Sequence, residues 1–311
     1  MRVDICSGES ALTNFILIGI FVLMGALFRR LKAFPEQTAH VLNMFALYVS
    51  LPAVILLKVP ELSISAETVV AAIVPWCMLL LSALLVLTLA RSREWTRATT
   101  GVLLLVVPIG NTSFMGVPMV RAFFGEAGLP HLILYDQIGT MLIFATYGAV
   151  ILSLYSGERS DLPTIIKRAL LFPPTTALLI GLALRNWSYP QVVVNTLHDL
   201  GGALTALVMT AIGFQMKFRL QRTTLEPLAV GLAIKLMIAP LVALAACRLL
   251  GLDSLAADIS IFEAGMPPMV TACALAAAAG IGVELAVAMA GLGILLAFVS
   301  LPLVYLLIQV L

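Results

Sequence analysis

Charged residues are scarce in this chain. Only 11% of its 311 residues are Asp, Glu, Lys or Arg, whereas 61% are hydrophobic and the mean hydropathy is +1.10. A soluble domain carries about 25% charged residues, so the composition excludes that class. Apolar runs of roughly 20 residues recur along the whole chain and predict an all-α integral membrane protein. The roughly ten-residue alternating segments that are typical of a membrane β-barrel do not occur.

Motifs for catalysis and for cofactor binding are missing as well. The sequence has no HExxH, GxSxG, Walker loop or Cys/His pair, and its three histidines are far apart. The cysteines are scattered and fit neither a disulfide framework nor a metal-ligand cluster: Cys6, Cys77, Cys247 and Cys273. The net charge of +2 is spread along the chain, which argues against a nucleic-acid partner. We therefore expect neither an enzyme nor a resident cofactor.

Ten apolar segments have the length of a membrane helix. They cover about 12–28, 38–57, 66–90, 98–124, 128–155, 168–185, 192–216, 225–249, 255–280 and 284–310. The residues before the first segment carry two acids against one Arg, and no cleavage pattern follows it. We therefore interpret the first segment as a true span rather than a signal peptide.

Basic residues concentrate in alternate loops of this arrangement. The loops after spans 1, 3, 5 and 7 hold Arg29, Arg30, Lys32, Arg91, Arg93, Arg97, Arg159, Lys167, Arg168, Lys217, Arg219 and Arg222. The opposite side has only Arg2, Lys58, Arg121, Arg185 and Arg248. Because Lys and Arg mark cytoplasmic loops, both termini are predicted to lie outside the cytoplasm.

The chain also has an internal symmetry of spacing. The polar stretch 156–167 separates two sets of five spans, and a shift of 156 residues carries the start of span 1 onto that of span 6 and of span 4 onto that of span 9. Because five is odd, the second set enters the membrane upside down. We predict a first five-helix repeat (1–155), a cytoplasmic linker (156–167) and a second, inverted five-helix repeat (168–311).

Two spans in matching positions of the repeats are interrupted. Span 4 contains VVPIGNTSFMGVP (106–118) and span 9 contains FEAGMPPMVTA (262–272). Proline removes a helix hydrogen bond, and hydrocarbon offers no water to replace it, so such breaks are tolerated only inside protein or along a cavity. Matched broken spans are a strong pointer to a transport site. The alternative is a pair of purely structural kinks.

Each break exposes the N-terminus of a second half-helix. Free N–H groups and the positive end of the helix dipole suit an anionic group such as a carboxylate. The residues that we expect to bind such a substrate are Gly110, Asn111, Thr112, Ser113, Met266, Pro267, Pro268 and Met269.

Ionisable residues inside spans are costly and therefore functional candidates. Glu263 precedes the second break, and its alternatives are a cation or proton site or a hydrogen-bond brace. Asp136 and Gln137, with Thr140 one turn further, form an oxygen-rich set in span 5, unless Asp136 is hydrated at the interface. Lys235 in span 8 is too deep to snorkel and either counters an acid or attracts the anion. We predict an ion-coupling role for these five residues, with Glu263, Asn111, Ser113 and Gln137 as candidate Na⁺ ligands.

The motifs PIGNTSFMGVP, YDQIGT (135–140), AIGFQM (211–216) and EAGMPPMVTA (263–272) resemble those of the auxin efflux carrier family, in particular its bacterial malate or malonate permease branch. The resemblance covers essentially the whole chain. It implies the fold of the bile-acid sodium symporters, with ten transmembrane helices in two inverted repeats. Panel and core domains, each drawn from both halves, would have broken helices 4 and 9 crossing at the substrate site. It also implies an elevator-like movement, a bacterial inner membrane and a homodimer.

These observations together predict a secondary active transporter for a small organic anion, a mono- or dicarboxylate. Na⁺ coupling, H⁺ coupling and uniport are all compatible with the same carboxylates. A membrane sensor that binds a small anion in the same pocket without transport is the alternative.

Overall fold

The computed structural model describes residues 8–61, 66–156, 171–215 and 224–311, and these form helices without any strand. The α-helices are Gly8–Phe28, Thr38–Phe45, Leu51–Lys58, Ala66–Ser92, Arg97–Val106, Val117–Phe124, Leu129–Leu134, Ala149–Ser156, Pro173–Ala183, Gln191–Gly202, Leu204–Gln215, Leu225–Ala233, Ala239–Leu249, Leu255–Ala264, Val270–Ala278 and Val283–Val310. Wider π-helical turns cover Ala46–Ser50, Thr112–Gly116, Tyr135–Met141, Phe144–Gly148 and Ile234–Ile238, and Glu126–Gly128 is a 3₁₀ turn.

Within the described ranges, six continuous helices are long and apolar enough to cross a membrane. They are Thr38–Lys58, Thr68–Ser92, Glu126–Ser156, Gln191–Gln215, Leu225–Leu249 and Val283–Val310. They correspond to predicted spans 2, 3, 5, 7, 8 and 10. The count of ten crossings and the inverted repeats stay predictions.

The other predicted spans are shorter or divided. Span 1 corresponds to the apolar stretch Thr13–Phe28 of the helix Gly8–Phe28. Span 6 begins later than predicted, at Pro173, because the Pro173–Pro174 pair suits a first helical turn and cannot continue a preceding one. Residues 168–170 of that span and the linker from 157 onward lie outside the described residues.

Spans 4 and 9 are broken where the sequence predicts. Arg97–Val106 ends before Pro108, and Leu255–Ala264 ends before the Pro267–Pro268 pair. Both first halves start from a hydroxyl cap. The N–H of Thr99 donates to Thr96 Oγ1, and that of Ala257 donates to Ser254 Oγ.

Three of the wide turns have a common local cause. Ala46–Ser50, Thr112–Gly116 and Ile234–Ile238 are followed by Pro52, Pro118 and Pro240, each two residues after the turn ends. The carbonyl four residues before each proline lies inside the turn. Because the proline ring clashes with that carbonyl and offers no N–H to it, the turn widens. Pro75 and Pro302, in contrast, lie inside continuous α-helices.

The chain divides into two compact units. The first draws its described residues from Met1–Ile64, Ser113–Ile133 and Leu170–Met216. Its helices Gly8–Phe28 and Leu204–Gln215 pack backbone to backbone. A Cβ atom added to Gly25 would lie 2.0 Å from the Thr210 carbonyl oxygen, and one added to Gly213 would lie 1.9 Å from that of Val22. Only glycine permits this approach.

The second unit draws its described residues from Ser65–Thr112, Leu134–Ala169 and Lys217–Leu311. Its helix Ala66–Ser92 packs against Leu255–Ala264 and against the wide turn Tyr135–Met141. At the latter contact, a Cβ on Gly139 would lie 2.1 Å from the Pro75 ring, and Trp76 Nε1 donates to the Ile138 carbonyl at 3.3 Å. This packing holds the part of span 5 that carries the predicted polar residues.

Candidate functional site

The two helix breaks of the second unit are joined by main-chain hydrogen bonds. The Asn111 N–H donates to the Pro267 carbonyl at 2.7 Å, and the Met269 N–H donates to the Ile109 carbonyl at 3.0 Å. Gly110 and Pro268 lie opposite each other between these bonds as an antiparallel bridge. Each interruption therefore provides hydrogen-bond partners for main-chain groups of the other. In an apolar environment, neither interruption alone could supply these partners.

This pairing corrects one expectation about the exposed amides. The N–H groups of Asn111 and Met269 are used in the bridge and are not free for a guest. The donors left at the second break are the first-turn N–H groups of the helix Val270–Ala278, which have no partner within that helix. Met269 is the residue that precedes this helix, and its carbonyl accepts from Cys273.

The polar side chains of the first break take three different positions. The Asn111 side chain is buried, and its Nδ2 has no hydrogen-bond partner among the described residues. Thr112 Oγ1 donates to Asp136 Oδ1 at 2.5 Å. Ser113 is buried too, but it belongs to the first unit. Asn111 is therefore the side chain of this break whose donor capacity is unused.

Asp136, Gln137 and Thr140 are all buried on the wide turn Tyr135–Met141. Asp136 is 2% exposed and accepts from Thr112 and, through Oδ2, from Gln137 Nε2 at 2.6 Å. The alternative that Asp136 is hydrated at the interface is therefore wrong. The sequence indicated an ordinary α-helical face here; the observed turn is wider and is supported from the neighbouring helix by Trp76.

Lys235 is buried on the wide turn that precedes Pro240. Its Nζ lies 3.2 Å from the position that a Cβ atom on Gly110 would occupy, and the Met266 Cβ lies 3.4 Å from the same position. Snorkelling is excluded by this burial. Gly110 lets the ammonium approach the paired breaks, because any larger residue would occupy that space.

Glu263 is completely buried, with 0% exposure, one turn before the second break. Neither of its carboxyl oxygens has a hydrogen-bond partner within the described part of the chain, so the alternative of a side-chain hydrogen-bond brace is wrong. Asp136 and Lys235 are the charged groups that act on it electrostatically. A buried carboxylate without hydrogen bonds is costly, and a proton or a cation would remove that cost.

Apolar residues complete the second break. Met266 is fully buried and Met269 nearly so, and the Pro268 ring packs against Gly293, where an added Cβ would lie 2.7 Å from the proline Cδ. Sequence reasoning missed Gly293, and also Ile109, whose carbonyl receives the Met269 N–H. Gly293 carries no local signal, because its constraint comes from Pro268, 25 residues away.

The described residues contain no group of three or more His, Cys, Asp or Glu side chains that could hold a metal ion. The four residues that the sequence analysis predicts to bind Na⁺ carry a carboxylate, two amides and a hydroxyl. Glu263, Asn111 and Gln137 lie in the second unit, whereas Ser113 lies in the first. Hard oxygen donors of this kind fit an alkali cation better than a transition metal.

Long apolar helices, together with a pair of broken spans and buried ionisable groups in or beside them, define a multi-pass membrane transporter. The comparison with known proteins identifies the family. Residues 15–305 match the family model described as membrane transport protein, and the chain belongs to this family, the auxin efflux carrier family that its motifs resemble.

Two archaeal relatives support this assignment. An uncharacterized transporter of Methanothermobacter thermautotrophicus is 30% identical over 300 residues, which cover 96% of this chain and 97% of the relative. An uncharacterized transporter of Methanocaldococcus jannaschii is 24% identical over 264 residues, or 81% of this chain and 84% of the relative. The bacterial inner membrane and the side on which the termini lie stay predictions.

Proposed function

We propose that this chain is a secondary carrier for a small organic anion, a mono- or dicarboxylate. The observation that carries the proposal is the buried Lys235 ammonium beside the paired breaks, 3.2 Å from the Cβ position of Gly110. The unused Asn111 amide donor and the first-turn N–H groups after Met269 add hydrogen-bond donors of the same polarity. A carboxylate is the small group that uses an ammonium and several N–H donors together.

The charge balance supports coupling of this anion to a cation. Two buried carboxyl groups, Asp136 and Glu263, face one buried ammonium, Lys235. A bound anionic substrate would therefore add a negative charge to a site that already has more carboxyl groups than ammonium groups. Asp136 accepts hydrogen bonds from Thr112 and Gln137, whereas Glu263 accepts none from the described residues. Glu263 is thus the group that would take up H⁺ or Na⁺ together with the substrate, while Gln137 and Thr140 supply neighbouring oxygens.

The proposed transport cycle is of the elevator type, in which a core domain carries the paired breaks and the bound anion while a panel domain stays fixed. The inverted five-helix repeats would provide the two equivalent end states. Exchange of the anion across the membrane needs no nucleotide in this scheme, since a gradient of the ion or of the substrate drives it.

Proteoliposome uptake tests the proposal. Purified protein would be reconstituted and supplied with radiolabelled acetate, malonate, malate and an aromatic monocarboxylate, with and without Na⁺ and pH gradients. At least one acid should accumulate in protein-containing vesicles and in none of the empty ones. If an acid binds but accumulates under none of the gradients, the protein is a sensor and not a carrier.

Asn111→Ala is the first variant to compare. A lost hydrogen bond to a charged group is worth about 1.5–3 kcal/mol, so we expect uptake at low substrate concentration to fall about 10- to 100-fold. Asn195→Ala, which removes an exposed helical asparagine, is the matched control and should transport normally. Equal uptake by the two variants would exclude Asn111 from the site.

A further inference from the structure

A separate pocket of about 660 Å³ lies wholly within the first unit. Its walls are mainly apolar and include Leu17, Ile18, Phe21, Val54 and Leu57. None of the residues that line it belongs to the predicted substrate-binding set or to the predicted ion-coupling set. The volume lies in the range of small-molecule sites, about 300–1,000 Å³, which combine apolar walls with a few polar groups.

Four charged groups that line this pocket form a chain of ion pairs. Lys58 Nζ lies 3.3 Å from a carboxyl oxygen of Glu61 and 3.3 Å from one of Glu126, and Arg121 Nε lies 2.6 Å from the other oxygen of Glu126. Gly125, with φ of 71°, provides the turn that brings Glu126 back toward Arg121. Glu126 therefore connects two basic groups that come from different helices.

The bases and the acids of this chain differ in burial. The Lys58 and Arg121 side chains are 17% and 26% exposed, whereas those of Glu61 and Glu126 are 56% and 53% exposed. All four side chains line the pocket, and the two bases are the more buried pair. A half-exposed carboxylate gains little from its ion pairs, so Glu126 can be replaced by another anion at low cost.

We propose that this pocket binds a free single-chain amphiphile with a carboxylate head group, such as a fatty acid. The head group takes the place of the Glu126 carboxylate between Lys58 and Arg121, and the alkyl chain lies along the apolar walls of the helices that carry Leu17 and Val54. The two bases are more buried than the two carboxylates that pair with them, so the apolar pocket favours an anionic head on an apolar body over a polar dianion or a cationic amphiphile. The site is independent of the paired breaks and of the proposed transport function.

Equilibrium binding of radiolabelled dodecanoate tests the proposal. The full chain would be placed in nanodiscs of zwitterionic phosphatidylcholine, and binding to empty nanodiscs would be subtracted. We expect one saturable site, with dodecyltrimethylammonium failing to compete. Absence of saturable binding, or equal competition by the cation, would overturn the proposal. Competition by phosphatidylglycerol in the nanodisc would also overturn it, because the occupant would then be a bilayer phospholipid.

Gly202 offers a position from which a larger side chain would enter the pocket. It lines the pocket, and a Cβ added to it meets nothing within 4 Å. Gly202→Leu should therefore abolish dodecanoate binding. Gly19→Leu is the matched control, because Gly19 is also helical and also has open space around its Cβ position but does not line the pocket. Equal binding by the two variants would place the ligand elsewhere.

The head-group contacts predict two changes of opposite sign. Arg121→Gln should weaken dodecanoate binding by 10-fold or more, since the guanidinium loses its charge-assisted hydrogen bond. Glu126→Gln should strengthen binding several-fold, because the competing carboxylate is removed from both bases. A general structural defect would weaken binding in both variants, so weaker binding by Glu126→Gln would contradict the proposed exchange.

Discussion

Asp136 and Glu263 are both buried carboxyl groups of the second unit, yet their surroundings differ sharply. Asp136 accepts hydrogen bonds from Thr112 and Gln137, whereas neither Glu263 oxygen has a partner among the described residues. Both lie within electrostatic range of one another. Asp136 therefore acts as the fixed anchor that ties span 5 to the first break. Glu263 is left as the group whose charge state can change with little structural rearrangement.

The pair Glu263→Gln and Asp136→Asn tests this difference at the residue scale. Glu263→Gln removes a buried acid without breaking a hydrogen bond, so the free energy of unfolding should stay the same or rise. Asp136→Asn replaces an acceptor of two hydrogen bonds and should lower it by about 1–3 kcal/mol. Thermal unfolding in detergent measures both.

Transport measurements complete the comparison. Uptake by Glu263→Gln should lose its dependence on the Na⁺ or pH gradient, whereas Glu36→Gln, a change at an exposed acid, should leave that dependence intact. An unaltered cation profile in Glu263→Gln would remove Glu263 from the coupling role.

At the scale of the element, wide helical turns recur at the positions of buried polar residues. One carries Lys235, another begins with Thr112, and a third carries Asp136, so buried polar residues repeatedly occupy them. A wide turn leaves a carbonyl without its usual helical partner, and Trp76 supplies a donor to Ile138 in the third case. The packing of Pro75 against Gly139 holds the same turn in place.

Gly139→Ala tests that packing. The added methyl group would lie 2.1 Å from the Pro75 ring, and a proline ring cannot rotate away, so we expect a loss of about 1–3 kcal/mol in the free energy of unfolding. Gly19→Ala, where the methyl group meets nothing within 4 Å, is the control and should be neutral or slightly stabilising. Pro75→Ala combined with Gly139→Ala should recover most of the loss. No recovery in the double variant would show that another contact constrains Gly139.

At the scale of the whole molecule, the organisation rests on the relation between the two halves of the chain. Each half contributes one broken span, and the breaks are joined by two hydrogen bonds through Asn111 and Met269. Each compact unit also draws its residues from both halves of the sequence. Such an arrangement is typical of repeat-built transporters, where the site lies at the interface of the repeats.

Cysteine labelling from one side of the membrane tests whether the repeats are inverted. Arg93 follows span 3 and Asp253 follows the corresponding span 8, and both residues are exposed. With the four native cysteines replaced, Arg93→Cys and Asp253→Cys should react with an impermeant reagent from opposite sides. Glu61→Cys should react with the reagent from the same side as Asp253→Cys. Labelling of Arg93→Cys and Asp253→Cys from the same side would rule out the inverted arrangement.

The sequence alone was sufficient for the features that depend on local composition. Long apolar runs determine membrane helices, and Pro108 and the Pro267–Pro268 pair determine where spans 4 and 9 stop, because proline acts on the turn immediately before it. The family resemblance follows from four short motifs, two of which lie at these breaks, and the match over residues 15–305 confirms the family.

Only the tertiary structure decided which groups are partnered. The sequence could not show that the Asn111 and Met269 amides bond across the two breaks. Nor could it show that Asp136 accepts from Thr112 and Gln137 while Glu263 has no hydrogen-bond partner among the described residues, or that Lys58 and Arg121 both pair with Glu126 at an apolar pocket. Each of these facts joins residues that are far apart along the chain. Hydrogen bonding and ion pairing act over a few ångströms in space, so they are determined by how the helices pack and not by the order of residues within any one of them.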